Sequence, residues 1–323
     1  MRILVTGGAG YIGSHLVDAL IARGDEVLVI DNLSTGRFEN IQHFQGRPGF
    51  HFINDSILNE PLLERFVPSM DLIFHLAAAV GVRNVLQDPL AAINTNVRGA
   101  ETVMGLAFRY WKRIVIASSS EIYGKATHVP FHEDDDRVLG SSAVPRWSYS
   151  MSKAIDEHFA FAYAAKGLPI SIVRYFNSYG PRLDEKGYGS VVANLTRQAL
   201  RGDPITVHGD GKQTRCFTYI TDTVAGTLLA GEVKEAIGQA FNIGNPVETS
   251  ILELARTIKR LTRSKSRIER VPYAAYYGEG FEDMRRRVPA VDKARQHLGF
   301  RPQVGLEAGL RKTIAWCRAH FSH

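Results

Sequence analysis

The chain has 323 residues, of which 45% are hydrophobic and 22% charged, the composition of a folded globular protein with enough apolar residues for a core. The formal net charge is +6, but the basic residues cluster late without a reading helix or an aromatic RNA platform, so we expect no nucleic-acid partner. No apolar run approaches the ~18 residues that span a bilayer, so we expect no membrane segment. Two cysteines without metal-ligand spacing, and no signal-peptide pattern after Met1, predict a cytoplasmic protein with no metal.

The first motif is a glycine-rich turn between a strand and a helix. Residues 3–5 (ILV) predict a short buried strand, and residues 14–20 have apolar positions at helical spacing. Unpaired N–H groups and the helix dipole make such a junction an anion site. In the intervening TGGAGYIG, Gly7 allows the tight turn, Gly10 allows a diphosphate to approach, and Gly13 allows the helix to pack closely. The turn predicts a dinucleotide site, although similar turns also occur as plain loops.

Acidic residues follow the next two predicted strands. Asp31 ends the run 27–30 (VLVI), at the place where a carboxylate accepts hydrogen bonds from an adenosine ribose. Asp31 favours NAD over NADP, because a 2′-phosphate would meet a carboxylate of like charge. A third strand, residues 51–54, ends at Asp55, which could reach the adenine amino group or could cap a helix.

The fourth predicted strand, residues 71–76, runs into Ala77 and Ala78, and small residues there let a cofactor lie against the backbone. His75 in this strand is interpreted as a core histidine rather than a catalyst. Asn96 begins or lies within a helix that leads to a fifth strand, residues 113–117. Strands that alternate with helices predict an α/β fold with a doubly wound parallel sheet.

Polar residues follow the fifth strand, where an open parallel sheet binds its ligands. Ser118 to Glu121 come first, and a predicted helix carries Tyr149 and Lys153 four residues apart, on one face. Lys153 would lower the pKa of Tyr149, as would a positive nicotinamide ring, so that a phenolate could act as a base. The acidic run 133–136 between them predicts a solvated turn.

These motifs together resemble the extended short-chain dehydrogenases/reductases, in particular the NAD-dependent nucleotide-sugar epimerase/dehydratase family. Further matches are Asn177 with the following Gly180-Pro181, and Arg215 in the segment TRCFT. The resemblance implies a Rossmann-type sheet, a UDP-sugar substrate and a catalytic set of Ser119, Tyr149, Lys153 and Glu121. It implies a cofactor set of Gly7, Gly10, Tyr11, Ile12, Gly13, Asp31, Asn32, Ser34, Thr35, Gly36, Asp55, Ser56, Leu76, Ala77, Ala78, Asn96, Ser118, Tyr149, Lys153 and Tyr175. The implied substrate set is Ser120, Asn177, Val191, Val207, Arg215 and Arg286.

The second half of the chain predicts a smaller α/β lobe. A sixth strand spans residues 170–175, short strands are expected near residues 205–208 and 241–244, and residues 251–261 predict an amphipathic helix. We therefore expect an NAD-binding Rossmann domain at 1–175, with returning segments at about 216–245, and a nucleotide-sugar-binding lobe at 176–323. Arg286 and Arg287 are candidates for diphosphate contacts, and surface salt bridges are the alternative for both.

The reaction depends on few residues. Ser120-Glu121 is similar to the UDP-glucuronate decarboxylases, as are segments 145–147, 180–184 and 276–281, whereas simple 4-epimerases usually have a small or neutral residue in place of Glu121. Decarboxylation is easy once C4 is a ketone, because the C6 carboxylate then belongs to a β-keto acid. One departure is Ser190, near which the decarboxylases carry an arginine. Glu121 could alternatively cap backbone N–H groups.

Three functions stay open at this point. The first is UDP-glucuronate decarboxylation to a UDP-pentose, the second is 4-epimerisation of a UDP-hexose or UDP-hexuronate, and the third is a non-catalytic NAD-binding regulator. The intact Tyr149 and Lys153 argue against the third. The family usually forms homodimers through the helices that carry Asn96 and Tyr149, to which Phe108 and Phe159 could contribute, although core packing explains those two rings as well.

Overall fold

The computed structural model describes residues 1–81, 88–184, 190–272 and 284–321. Residues 276–281, one of the segments that resemble the decarboxylases in sequence, lie outside these ranges. The strands, in chain order, are β1 (Arg2–Thr6), β2 (Glu26–Ile30), β3 (Phe50–Ile53), β4 (Leu72–His75), β5 (Arg113–Ser119), β6 (Ile170–Tyr175), β7 (Ser178–Tyr179), β8 (Ile205–His208), β9 (Thr214–Cys216), β10 (Thr218–Tyr219), β11 (Ala240–Ile243), β12 (Glu248–Ser250) and β13 (Ile268–Val271).

Helices cover both faces of the main sheet. The described helices, in chain order, are α1 (Tyr11–Ala22), α2 (Glu60–Phe66), α3 (Pro89–Ile93), α4 (Gly99–Arg109), α5 (Trp147–Ala165), α6 (Val191–Arg201), α7 (Ile220–Glu232), α8 (Ile251–Thr262), α9 (Asp292–Leu298) and α10 (Leu306–His320). A π-helical turn, Asn94–Arg98, joins α3 to α4, and a short 3₁₀ turn, Ser120–Tyr123, follows β5. Asn96 therefore lies inside a continuous helical stretch, as the sequence predicts.

Seven described strands form one parallel sheet in the order β3-β2-β1-β4-β5-β6-β11. Its two faces follow from the two-residue period of a strand. On β1, Ile3 and Val5 belong to one buried apolar cluster, whereas Leu4 belongs to a second cluster. Both faces of a parallel sheet must be covered, which explains why its strands read as continuous apolar runs. The predicted α/β, doubly wound fold is confirmed.

A strand from the second half of the chain completes this sheet. The predicted strand near 241–244 is β11, which pairs in parallel with β6. The segments around it form small two-stranded sheets, β7 with β10, β9 with β12, and β8 with β13. The division into a domain at 1–175 and a lobe at 176–323 stays a prediction, with β11 as an observed returning segment.

A buried ion pair joins α5 to the sheet. The guanidinium of Arg174 on β6 donates through Nε to Glu157 Oε1 at 2.9 Å and through Nη2 to Oε2 at 2.7 Å. Both side chains are at most 2% exposed. Ser118 Oγ donates to Glu157 Oε1 at 2.6 Å, so the same carboxylate also holds the end of β5. The helix and the strand that carry the predicted catalytic residues are thus held in one arrangement.

The acidic turn contributes to this network, which the sequence did not predict. The carbonyl of Glu133 accepts a hydrogen bond from Arg174 Nη1, and its Oε1 accepts the backbone N–H of Asn242 on β11. Glu133 is 8% exposed, so the expectation that it lies in a solvated turn is wrong. A carboxylate in an acidic run can be buried where it meets an otherwise unpaired N–H group of a strand.

Arg174→Met is expected to destabilise the fold by about 3–5 kcal/mol, because it leaves the Glu157 carboxylate buried without its main partner. Urea unfolding without cofactor measures this loss. Arg260→Met is the matched control, since Arg260 pairs with Glu307 at the surface and should show no measurable change. Equal stability of the Arg174 variant and the control would contradict the role given to the pair.

Candidate active site

A cavity of about 430 Å³ lies at the carboxyl ends of the parallel strands, where the sequence predicts the site. Most of the predicted residues line it. From the predicted sets these are Gly7, Gly10, Tyr11, Ile12, Gly13, Asp31, Asn32, Ser34, Thr35, Asp55, Leu76, Ala77, Ala78, Ser118, Ser119, Ser120, Glu121, Tyr149, Lys153, Tyr175, Asn177 and Val191.

The glycine turn leaves room only for backbone. Gly7 has a φ of +72°, and a Cβ there would lie 2.7 Å from the Ala77 nitrogen on the neighbouring strand end. A Cβ at Gly13 would lie 2.1 Å from the Gly7 carbonyl oxygen. Helix α1 begins directly after Gly10, which offers no side chain to its first N–H groups. Those N–H groups are therefore available to an anion in the cavity.

Asp31 fastens the next loop to this turn. Its Oδ2 accepts the Ala9 N–H at 2.9 Å, and its Oδ1 accepts the Leu33 N–H at 2.8 Å. Burial raises the pKa of Asp31, and these backbone donors oppose the rise. A Cβ at Gly36 would lie 2.9 Å from Asp31 Oδ2, so Gly36 lets the loop close over the carboxylate rather than lining the cavity.

Asp55 stands at the cavity wall with both of its predicted interpretations still open. Its Oδ1 accepts the Ser56 N–H at 2.6 Å, and its Oδ2 accepts a hydrogen bond from Asn59 Nδ2 at 3.0 Å. Asn59 in turn caps α2 by accepting the Leu62 N–H. The carboxylate thus supports a helix entry while its residue faces the cavity.

Tyr149 and Lys153 share one face of α5 and line the cavity together with Ser119. Ser119 hydrogen-bonds the Tyr149 hydroxyl. Burial raises the pKa of Tyr149, Lys153 opposes this rise, and Glu121 adds to it. The protein alone therefore does not make Tyr149 a phenolate, and the expected lowering needs a further positive charge beside the ring, which an oxidised nicotinamide supplies.

Glu121 is held between two arginines rather than capping N–H groups. Arg287 Nη2 lies 2.7 Å from Glu121 Oε1, and Arg146 Nη2 lies 3.4 Å from Oε2. Both guanidinium groups are at most 7% exposed. Burial alone would raise the pKa of Glu121, but Arg287 and Arg146 outweigh it and hold that pKa below its usual range. Glu121 is therefore a carboxylate anion that lies between two guanidinium cations.

His75 is confirmed as a core histidine. It is 2% exposed, and its Nδ1 lies 2.8 Å from Thr6 Oγ1 on the adjacent strand. Burial, together with the nearby charge of Lys153, lowers its pKa to about 3. The ring is therefore neutral at physiological pH.

Six predicted residues lie outside the cavity lining: Gly36, Ser56, Asn96, Val207, Arg215 and Arg286. Asn96 instead holds the backbone of Ala79 at both its N–H and its carbonyl. Val207 is fully buried in the apolar core. Arg286 forms a two-point pair with Glu248 at the surface, which is the alternative that the sequence left open.

Arg287, for which the sequence left a diphosphate contact and a surface salt bridge open, lines the cavity and pairs with Glu121 inside it. In the run RRR at 285–287, side-chain type alone does not say which arginine faces inward. The structure decides it through the backbone, because Phe131 exchanges hydrogen bonds with Val288 and Ala290 and so fixes the register of the segment. A signal was present in the sequence, since Arg287 is the member of the run next to the apolar residues that this pairing buries.

Comparison with known proteins shows which family and which relatives the chain resembles. The chain matches the GDP-mannose 4,6-dehydratase family over residues 4–313. It is 43% identical to a UDP-N-acetyl-alpha-D-glucosaminuronate decarboxylase of Bacillus cytotoxicus, across 98% of both chains. It is 38% identical to UDP-glucuronic acid decarboxylase 1 of Xenopus tropicalis, over 100% of this chain and 73% of the relative.

Solved structures show the same fold. A UDP-glucose 4-epimerase of Thermotoga maritima, solved with UDP-glucose, superimposes with a TM-score of 0.90 at 33% identity and covers 100% of both chains. A UDP-glucuronic acid 4-epimerase of Bacillus cereus, solved with UDP-glucuronic acid and NAD, gives 0.88 at 30% identity and covers 99% of this chain and 100% of that one. The predicted Rossmann-type sheet and the predicted cofactor, NAD, are confirmed.

The residues present fit NAD. The turn around Gly7 and Gly13 is a cradle that any Cβ would fill, so a diphosphate can reach the N–H groups of α1. Asp31 provides the carboxylate beside it for the ribose hydroxyls. Lys153 and Tyr149 stand at the other end of the same cavity, where they would hold the nicotinamide ribose.

Gly13→Ala is expected to abolish NAD binding, because its Cβ would displace the Gly7 carbonyl and with it the turn. Isothermal titration with NAD measures the loss. Gly105→Ala in α4 is the control, since a Cβ there meets only the Tyr163 hydroxyl at 3.6 Å, an ordinary contact. An alanine variant at position 13 that binds NAD as the wild type does would refute the placement of the diphosphate.

Proposed function

Because the chain belongs to the GDP-mannose 4,6-dehydratase family of NAD-dependent nucleotide-sugar enzymes, we propose that it decarboxylates a UDP-hexuronate, UDP-glucuronate in the first place, to a UDP-pentose. The two decarboxylases that it resembles at 43% and 38% identity support this reaction. The name of the first makes UDP-N-acetylglucosaminuronate the second substrate to test. Both are nucleotide sugars with a carboxylate at C6.

The catalytic groups suit the first and last steps of such a reaction. NAD, when bound, accepts a hydride from C4 of the sugar and later returns it. Tyr149 takes the proton of the C4 hydroxyl and gives it back at the end. Lys153 supplies a positive charge beside Tyr149, and Ser119, which hydrogen-bonds the Tyr149 hydroxyl, would also donate to the same substrate oxygen. The net change of the sugar is loss of carbon dioxide and gain of one proton at C5, with no net oxidation or reduction by NAD.

The middle step needs a held carboxylate and a stabilised oxygen. With a ketone at C4, the C5–C6 bond breaks, carbon dioxide leaves, and the electron pair passes through C5 to the C4 oxygen as an enolate. Ser119 and Tyr149 stabilise that oxygen as donors. C5 then takes a proton, which restores the ketone for reduction. No residue has to act as a nucleophile.

The Glu121 cluster carries the proposal. The Glu121 carboxylate lies between the buried guanidinium groups of Arg287 and Arg146, and Arg287 and Glu121 line the cavity. Arg287 Nη1 also donates to Ser120 Oγ at 3.3 Å, and its Nε has no partner among the described residues. A buried guanidinium with one N–H group still available suits a substrate carboxylate. Ser190 caps α6 and lines the same cavity, and in our proposal Arg287 takes the part of the arginine that the decarboxylases carry near that position.

The alternative is 4-epimerisation, which the two superimposed epimerase structures support. Epimerisation shares the oxidation at C4 but keeps the carboxylate and turns the sugar before reduction. Incubation with UDP-[6-¹⁴C]glucuronate separates the two reactions. We expect labelled carbon dioxide and a UDP-pentose, and UDP-galacturonate with all of its label would refute the decarboxylase. UDP-[6-¹⁴C]N-acetylglucosaminuronate in a parallel assay assigns the substituent at C2.

Arg287→Met is expected to lower the rate of carbon dioxide release by roughly 100-fold or more, because the cluster then loses its closest cation. Arg286→Met, one residue earlier, is the matched control and should stay within about threefold, since Arg286 pairs with Glu248 outside the cavity. Steady-state kinetics on UDP-glucuronate measure both variants. Equal losses in the two would show that the buried arginine has no special part in the reaction.

We further propose that the protein is a homodimer in the cytoplasm. Helices α3 and α5 pack together and expose apolar side chains, namely Leu90, Ile93, Met151 and Ile155. The rings of Phe108 and Phe159 instead pack against the core. A second copy of this chain would cover the exposed group through a four-helix contact. Within the described residues no helix is long and apolar enough to cross a membrane.

Leu90→Arg is expected to convert the dimer to a monomer, because it places a charge in the apolar contact. Light scattering after size exclusion measures the mass. Val247→Arg is the control, since Val247 is as exposed, at 65% against 69%, but lies between β11 and β12. A wild-type monomer, or a dimer that survives in the Leu90 variant, would contradict this interface.

A further inference from the structure

Lys153 has an acidic partner within the protein core. Its Nζ donates to Asp156 Oδ2 at 3.1 Å, and the two side chains are 4% and 2% exposed. Asp156 lies three residues further along α5, one turn behind the cavity, and does not line it. Its other oxygen, Oδ1, is buried without a partner among the described residues. The carboxylate is thus committed to Lys153 alone.

Of the other charged groups nearby, Glu157 also favours the charged form of Lys153, but less than Asp156 does. Glu157, the next residue, is occupied by Arg174, Ser118 and Arg137. His75, on β4, is neutral and cannot balance an ammonium. From the cavity side, Lys153 faces Tyr149, and Tyr149 faces Glu121, which is bound by its own arginines. Asp156 is therefore the anion that directly compensates Lys153 in a dry environment.

We propose that Asp156 is a positioning residue for this reaction, whose carboxylate keeps the Lys153 ammonium charged and held towards Tyr149. The proposal rests on the proposed role of Tyr149 as the base. A lysine that is buried without an anion tends to lose its proton, because burial disfavours the charged form. A neutral Lys153 would no longer stabilise the Tyr149 phenolate, and the first proton transfer would fail.

The direction in which enzyme activity depends on pH follows from the pair of Lys153 and Asp156. Burial lowers the pKa of Lys153, but Asp156 opposes it and the net pKa lies above the usual value. Lys153 in the native protein is therefore charged across the physiological range. Without the carboxylate, the pKa of Lys153 would fall, and activity would be lost on the alkaline side as Lys153 deprotonates. The acidic limb of the pH profile reports the ionisation of Tyr149 and is separate from the alkaline limb.

Asp156→Asn tests this directly, through the pH profile of kcat/KM. We expect its alkaline limb to move to lower pH by roughly one to three units. The KM for the UDP-sugar should stay within about twofold, because Asp156 does not line the cavity. Asp156→Glu, which keeps the charge, should restore the alkaline limb. A folded Asn variant with the wild-type alkaline limb would overturn the proposal.

Two controls separate a charge effect from a loss of structure. Asp222→Asn makes the same change at a buried acid of α7 that accepts the Val304 N–H, and it should leave the pH profile unchanged. If Asp156→Asn does not fold, Asp156→Ser leaves space for water and should show the same displaced limb. An unshifted profile in the serine variant would equally overturn the proposal.

The proposed function and this inference fail in distinguishable ways. If the wild type releases no carbon dioxide but epimerises its substrate, the profiles are measured on that reaction, which begins with the same proton transfer. A displaced alkaline limb would then support Asp156 although the decarboxylase is refuted. An undisplaced limb alongside carbon dioxide release would refute Asp156 and leave the decarboxylase intact.

Discussion

The ion pair between Glu157 and Arg174 sets the relation between α5 and the sheet, on which the site depends. It joins a helix that carries Tyr149 and Lys153 to β6, and through Ser118 to the end of β5. A buried pair of this kind stabilises little compared with apolar packing, but it penalises any other arrangement of its partners. The catalytic groups come from elements far apart in sequence, so such a constraint is what makes their geometry reproducible.

Different kinds of chemical groups form the cofactor end and the reaction end of the cavity. The cofactor end uses backbone, glycines and the Asp31 carboxylate. The reaction end uses a cluster of buried charges, Glu121 with Arg146 and Arg287, and a second buried pair behind Lys153. The first set identifies the family. In our proposal the second set distinguishes loss of carbon dioxide from rotation of the sugar.

Local patterns in the sequence predicted most of the sheet and the cofactor end. Apolar runs, the glycine spacing and Asp31 are local signals, because strands and turns impose them on neighbouring residues. Contacts between distant segments were not predictable in the same way. Arg287 and Glu121 are 166 positions apart in the sequence, and Glu133 and Asn242 are 109 apart. Local periodicity therefore predicts neither contact. Arg286 and Arg287 look alike until the segment's register against Phe131 is known.

One isotope measurement tests the central claim, that the chain decarboxylates through a C4 ketone without net redox change. UDP-[4-²H]glucuronate is converted in ordinary water, and unlabelled substrate is converted in heavy water. We predict that the pentose keeps its deuterium at C4 in the first case and gains one solvent deuteron at C5 in the second. A product without solvent deuterium at C5, or one that has exchanged its label at C4, would contradict the mechanism.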